Sequence, residues 1–151
     1  MRFRILNIFR SEQGTSLVET AVLVPSLMMV LIGAIDFGRA YYIANEVAGA
    51  AQAAAVYGST NVTDTTGMTN TAKFDAPDVS GLSVTPAWGC ECSDGTKGSV
   101  SCTSTPTGCS ANVVYYATVT TSATYSPLFP WKGINTSISI ARSSTMRAVN
   151  E

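Results

Sequence analysis

The chain has 151 residues, a formal net charge of −1 at pH 7 and no histidine. The near-neutral charge argues against nucleic-acid binding, and the lack of histidine removes the commonest general base and metal ligand. The length allows one modest domain beside a membrane segment.

A basic head with three arginines precedes an apolar run at residues 21–35. Positive residues before such a run hold the N-terminus in the cytoplasm. The run itself is short for a bilayer, but counting from Leu17 and including Glu19 gives a full span of about twenty residues. We therefore predict a membrane segment at about residues 17–37.

Three interpretations compete for this segment. A secretory signal peptide needs an uncharged apolar stretch and a small-residue cut site behind it, whereas Glu19 and Pro25 interrupt this run. A plain membrane anchor is the second interpretation. The third is a leader that is cut before the run, after the small residue Gly14, so that the run is retained and Thr15 becomes the new N-terminus.

Glu19 is the polar residue that most needs explaining here. Cleavage after Gly14 would create an α-amine at Thr15, one helical turn from Glu19, or within reach of a neighbouring subunit. An ionised carboxylate near the membrane is costly unless it is paired. The competing explanation is a capping box, because Ser16 and Glu19 fit the S-x-x-E pattern.

The helix is predicted to continue past Arg39 to about Tyr57, since residues 41–57 are rich in alanine and contain no proline. Gly58 is expected to end it. One face of this helix is an apolar stripe, which consists of Ile43, Val47, Ala50, Ala54 and Tyr57. A second face has only small residues, namely Ala44, Ala48, Ala51 and Ala55. These faces would allow either close packing in a filament core or ordinary packing on the chain's own sheet.

Residues 61–70 are Thr-rich and polar and predict a loop, with at most a short helical turn near residues 71–74. Residues 82–88 predict a short strand, at a sheet edge because of Pro86. Residues 113–125 form the strongest strand pattern, and residues 134–140 form a second. This pair predicts an antiparallel hairpin, whose apolar face the stripe on the long helix would cover.

Four cysteines lie in a Gly/Ser/Thr-rich loop at residues 89–111, namely Cys90, Cys92, Cys102 and Cys109. Their spacing lacks the paired C-x2-C knuckles of structural zinc, so we predict two disulfides and no metal. Cys90 and Cys92 are too close in sequence to pair with each other. The pairings 90–102 with 92–109 and 90–109 with 92–102 both stay open.

Catalytic constellations are absent from the sequence. Without histidine, Ser-His-Asp and Cys-His arrangements cannot form. The aspartates lack metal-site spacing, and phosphate-binding glycine loops are missing. We predict a non-enzyme without a cofactor.

The stretch Gly14-Thr-Ser-Leu-Val-Glu19, followed by Leu23-Val-Pro25 and Asp36-Phe-Gly-Arg39, resembles the TadE-like minor pilins, or pseudopilins, of the tight-adherence (Tad) system. The resemblance covers about the first forty-five residues and returns more loosely at residues 116–130 and 145–147. Thr20 stands where family members usually carry Phe or Tyr.

The resemblance implies a pilin-like α+β fold, with a long N-terminal helix packed on a small antiparallel sheet that carries the disulfide-bonded loop. It implies cleavage between Gly14 and Thr15 by a prepilin peptidase, and neutralisation by Glu19 of a neighbouring subunit's amine during assembly. The expected segments are a cleaved cytoplasmic leader at 1–14, the helix at 15–58, and a periplasmic or extracellular domain at 59–151.

The expected partners are the membrane, the peptidase, other pilin subunits and the assembly platform, but not nucleic acid. The expected location is the bacterial inner membrane, with the C-terminal domain in the periplasm or on a surface pilus. Two alternatives are an adhesin-like module, binding through the loop between Cys90 and Cys109 near Trp88, and a single-pass membrane protein unrelated to pili.

Overall fold

A computed structural model describes residues 12–96, 100–102, 109, 112–129, 133 and 136–148. The chain divides into two units, which meet in sequence at Arg39 and Ala40. Within these described residues, two helices and three strands follow one another, which confirms the predicted α+β class. They are α1 (Glu12–Thr60), α2 (Thr65–Asp75), β1 (Ser83–Cys92), β2 (Val113–Tyr125) and β3 (Ile138–Arg147).

The first unit contains the part of α1 that ends at Arg39, with Pro25 inside it. Within the described residues, α1 is the one helix long and apolar enough to cross a membrane. Because α1 begins at Glu12, Ser16 lies inside the helix rather than at its start. The capping-box explanation of Glu19 is therefore wrong for the uncleaved chain.

The second unit begins with the remainder of α1, which continues past Arg39 as predicted and ends at Thr60. The predicted apolar stripe faces a core shared with α2 and the sheet. Half of the small-residue face enters this core as well, since Ala51 and Ala55 are buried while Ala44 and Ala48 are only half-buried. Close packing on the chain's own domain thus explains part of the alanine pattern.

The sheet is antiparallel with strand order β1-β2-β3, so that β2 is central. Every second residue of β2 from Ala117 to Tyr125 is buried, as the alternating pattern predicted. Thr121 occupies the middle of this inward face, fully buried, and its hydroxyl donates to the Val47 carbonyl at 2.7 Å. The sequence pattern did not identify that contact between sheet and helix.

β1 is an edge strand, as Pro86 predicted. The Cys90 carbonyl accepts from the Val100 N–H at 2.7 Å, and this bridge lies on the side of β1 that faces away from β2. Backbone groups in an antiparallel strand alternate between its two sides. Pro86, four residues earlier, therefore has its missing N–H at the outer edge, where no bond of the ladder is lost.

Three elements differ from the sequence predictions. The loop predicted at residues 61–70 is wrong, because α2 begins at Thr65 and runs to Asp75. β1 continues to Cys92, so the cysteine loop starts later than Gly89. β3 extends to Arg147, well beyond the predicted end at residue 140, while Ile134 lies outside the described residues.

α2 forms because Asp64 caps it. The Asp64 carboxylate accepts from the Gly67 N–H at 2.8 Å, a standard N-cap bond, and from the Tyr57 hydroxyl at 2.7 Å. Met68 and Ala72, one turn apart, are fully buried against the rest of the core. Composition suggested a loop, but one cap and two apolar residues at helical spacing are enough to order this segment.

Candidate functional site

The first candidate site is the start of α1, from Gly14 to Glu19. The Gly14–Thr15 peptide lies inside α1, whose described part begins at Glu12. The described side chains begin at Ser16, so that the surroundings of the Thr15 side chain are outside the described residues. Thr15 and Glu19 are four residues apart in a continuous helix, which places them on the same side with a rise of about 6 Å.

Glu19 is the sole ionisable residue in the sequence between positions 16 and 35. Its side chain is exposed, and within the described part of the chain its carboxylate forms no ion pair. In a membrane, such a carboxylate would be destabilised by several kcal/mol unless a cation approached it.

The neighbouring hydroxyl groups differ from Glu19 because they are satisfied within the helix. Thr20 donates to the Ser16 carbonyl at 2.9 Å, and Ser26 donates to the Leu23 carbonyl at 2.8 Å. Such bonds let hydroxyl side chains lie in an apolar environment at little cost. The Thr that replaces the usual aromatic residue is therefore compatible with a membrane helix, and Glu19 remains the group that needs an outside partner.

The helix around Glu19 exposes large apolar side chains on all sides. Leu17 is 71% exposed and Val30 is also 71% exposed, and the residues between them form the same kind of surface. A soluble domain seldom presents so large an apolar surface to water. The helix is suited to anchoring the chain in a membrane or to packing against other apolar helices.

The second candidate site is the disulfide end of the sheet. Cys90 bonds Cys102 and Cys92 bonds Cys109, with Cα–Cα separations of 5.3 and 5.6 Å. This is one of the two pairings that the sequence left open. Cys90 and Cys92 are both buried on β1, so the disulfides join the core of the domain to the loop that follows it.

An ion pair and an aromatic pair lie near the disulfides. The Arg147 Nε on β3 contacts a carboxylate oxygen of Glu91 on β1 at 2.5 Å, across the central strand. Trp88 and Tyr115 are both partly exposed, with ring centroids 6.4 Å apart. The described residues contain no cluster of three or more His, Cys, Asp or Glu side chains that could hold a metal. This end therefore has the features of a cross-linked structural surface.

Three polar groups of the second unit are perturbed electrostatically. Hydrogen bonds from the Gly67 N–H and the Tyr57 hydroxyl lower the pKa of Asp64. The same contact with Asp64 raises the pKa of Tyr57. The pKa of Tyr42 is raised as well, mainly by the negative charge of Glu46, and further by partial burial and by Asp78. The sequence signal for the Asp64 cap was an Asp inside a Thr-rich stretch, three residues before Gly67.

Comparison with known families connects the first site to function. The family model for TadE-like protein matches residues 14–56, which confirms the resemblance over that segment. The match begins at Gly14, includes Glu19 and covers less than a third of the chain. No curated protein and no solved structure matches it.

Proposed function

We propose that the chain is a structural protein associated with a Tad-type pilus, and specifically a minor pilin, or pseudopilin, of that pilus. The match of residues 14–56 to the model for TadE-like protein supports this proposal. It enters the inner membrane with its N-terminus in the cytoplasm and is cut between Gly14 and Thr15 by a prepilin peptidase. The helix that remains anchors it, and residues 59–151 form a periplasmic domain. The processed subunit then joins other pilin subunits at the assembly platform.

The observation that carries this proposal is the isolation of Glu19. Among the described residues, the exposed Glu19 carboxylate forms no ion pair, and it lies on an apolar helix one turn from the predicted cut. Cleavage places a positive α-amine at Thr15 and makes this turn the helix N-terminus, where the helix dipole also favours a negative group. In a filament the amine of a neighbouring subunit can meet Glu19, so that the pair sets the register of an otherwise apolar contact.

The variant Glu19→Gln tests the assembly step, because it removes the charge but preserves the size of the side chain. We expect the variant to be cleaved and inserted but lost from the assembled pilus, as judged by co-purification. The matched control is Glu46→Gln, which makes the same chemical change on the same helix, beyond the apolar run. Normal incorporation of Glu19→Gln would contradict the pairing role.

A further inference from the structure

Two contacts show in which direction β2 runs relative to the part of α1 in the second unit. An added Cβ at Gly58 would lie 2.7 Å from the Ala117 Cβ, and Thr121 donates to the Val47 carbonyl. β2 therefore runs opposite to α1, from residue 58 of the helix toward residue 47. Four further residues of strand advance by about 13 Å, which brings Tyr125 near the level of Ala40.

The helix α2 gives the same direction independently. Its cap Asp64 contacts Tyr57, whereas Asp75, its last residue, has a carboxylate oxygen 3.1 Å from an added Cβ at Gly49. Beyond α2, Asp78 accepts a 3.5 Å hydrogen bond from Tyr42. The loops that precede β1 and follow β2 thus lie at one end of the unit, close to Ala40, and the disulfides lie at the opposite end.

The end near Ala40, which we call the Ala40 end, exposes large apolar side chains. Leu128 is 56% exposed, Phe129 is 45% exposed and Ile138, at the start of β3, is 41% exposed. Tyr41 and Tyr42 on α1 are also exposed. Side chains of this kind, grouped at one end of a small domain, mark an interaction surface rather than ordinary solvent-exposed surface.

We propose that the Ala40 end rests on the membrane surface, with Leu128 and Phe129 dipping into the interfacial region of the bilayer. This inference rests on the proposed membrane anchoring of α1. The apolar run ends at Ile35, five residues before Ala40, so chain length alone keeps Ala40 within roughly 17 Å of it. Tyrosine and phenylalanine side chains are stable at the boundary of headgroups and acyl chains.

The bilayer fits this surface better than a neighbouring subunit does. The apolar side chains belong to the end of the unit that follows directly after the membrane segment, whereas a lateral subunit contact would draw on the sides of the unit. In this proposal, the disulfide end lies opposite the Ala40 end of the same unit and is directed away from the membrane before assembly. A subunit leaving the bilayer for a filament would have to release these side chains.

Phe74 offers a matched comparison for Phe129. It is 89% exposed in the same unit, but it adjoins Asp75, which lies beside Gly49. That level is nine helical residues, or about 13 Å, beyond Ala40. Contact with lipid should therefore differ sharply between these two phenylalanines if the Ala40 end faces the bilayer.

The test is photo-crosslinking in the full-length chain, inserted in membranes that contain an alkyne-tagged phospholipid. The photoreactive amino acid p-benzoylphenylalanine replaces Phe129, Phe74 or Val30 in three separate variants. We expect Phe129 to give about tenfold more lipid adduct than Phe74, because burying a phenylalanine ring shifts a contact equilibrium by that order. Intact disulfides on non-reducing gels report that each variant has folded.

The outcomes separate this inference from the proposed function. Lipid adducts at Val30, with equal and low adducts at Phe129 and Phe74, would leave membrane anchoring intact and overturn the inference. Protein adducts in place of lipid adducts at Phe129 would also overturn it, in favour of a subunit interface. An absence of lipid adducts at Val30 would instead contradict the membrane anchoring on which both proposals rest.

Discussion

Asp64 shows how one side chain orders a segment whose composition favours a loop. Its carboxylate accepts from the Gly67 N–H and the Tyr57 hydroxyl, and these bonds lower its pKa. A group whose pKa is lower in the folded state stabilises the protein above its unfolded-state pKa. That stabilisation is lost as the pH falls through the folded-state pKa.

We therefore expect the detergent-purified protein to lose more thermal stability between pH 7 and pH 3 than the variant Asp64→Asn. Asparagine also caps helices well but does not titrate, and the other carboxylates are common to both proteins. The loss of stabilisation should begin at about pH 4. The measurement is the Tm of each protein as a function of pH, and parallel curves would show that ionisation of Asp64 does not contribute to stability.

Gly58 allows the close approach of α1 to the sheet. An added Cβ would lie 2.7 Å from the Ala117 Cβ and 2.8 Å from the Met68 Cε. The methionine end can move, but the Ala117 Cβ is fixed by the central strand. We expect Gly58→Ala to lower the free energy of unfolding by about 1–3 kcal/mol.

Chemical denaturation in detergent would measure this effect. The matched control is Gly38→Ala on the same helix, where an added Cβ meets nothing within 4 Å. Alanine favours helix over glycine by up to about 1 kcal/mol, so the control should be neutral or slightly stabilising. Equal effects of the two substitutions would show that the close contact at Gly58 is unimportant.

At the scale of elements, the two disulfides tie the second half of β1 to the cysteine loop. Their partners are separated by 12 and 17 residues. In the chain-entropy model, closing a loop of this size contributes about 3 kcal/mol. Cys90 and Cys92 are both buried, so each disulfide also anchors the loop to the core.

We expect the double variant Cys92→Ser with Cys109→Ser to lose about 3 kcal/mol of stability while retaining the Cys90–Cys102 bond. Mass spectrometry after alkylation without reduction gives the bonding pattern. The native protein should show no free thiol, and the peptides should link 90 to 102 and 92 to 109. Linked peptides joining Cys90 to Cys109 would contradict the observed pairing.

Much of this fold follows from patterns visible in the sequence. The stripe from Ile43 to Tyr57 and the alternation in β2 predicted which faces meet, because burial of apolar area depends on periodicity. Pro86 predicted the edge position of β1, because a proline lacks an N–H for the ladder. These features are local, and local patterns are what a single sequence displays.

The features that the sequence did not predict depend on contacts between distant residues. Thr121 is tolerated inside the sheet because the Val47 carbonyl lies opposite it. The second half of β3, with Arg142 and Ser144 on its inward side, has no apolar alternation and is a strand because β2 supplies the pairing. The sequence likewise left two disulfide pairings open, and the structure contains the pairs Cys90–Cys102 and Cys92–Cys109.

At the candidate assembly site, the sequence predicted roles for Gly14 and Glu19, and the structure removed one explanation of Glu19. Because Ser16 lies inside α1, it cannot form a capping box with Glu19 before cleavage. The cleavage at Gly14 and the pairing of Glu19 with an amine stay predictions.

On the scale of the whole molecule, an apolar helix, a TadE-like segment and a disulfide-bonded sheet belong to one chain. We propose that the helix holds this chain in the membrane until assembly, and that the cut after Gly14 supplies the cation for Glu19. In this proposal, pairing of Glu19 depends on the cut, so the cut is the step to test.

Intact-mass and N-terminal peptide mass spectrometry of the protein, purified from its own membranes, tests the proposed cut after Gly14. We expect a mature chain that begins at Thr15. Gly14→Leu is the control and should accumulate as the longer, unprocessed form that stays in the membrane. A native chain that still begins at Met1, or one that begins beyond Ala40 as after signal-peptide cleavage, would contradict the proposed processing.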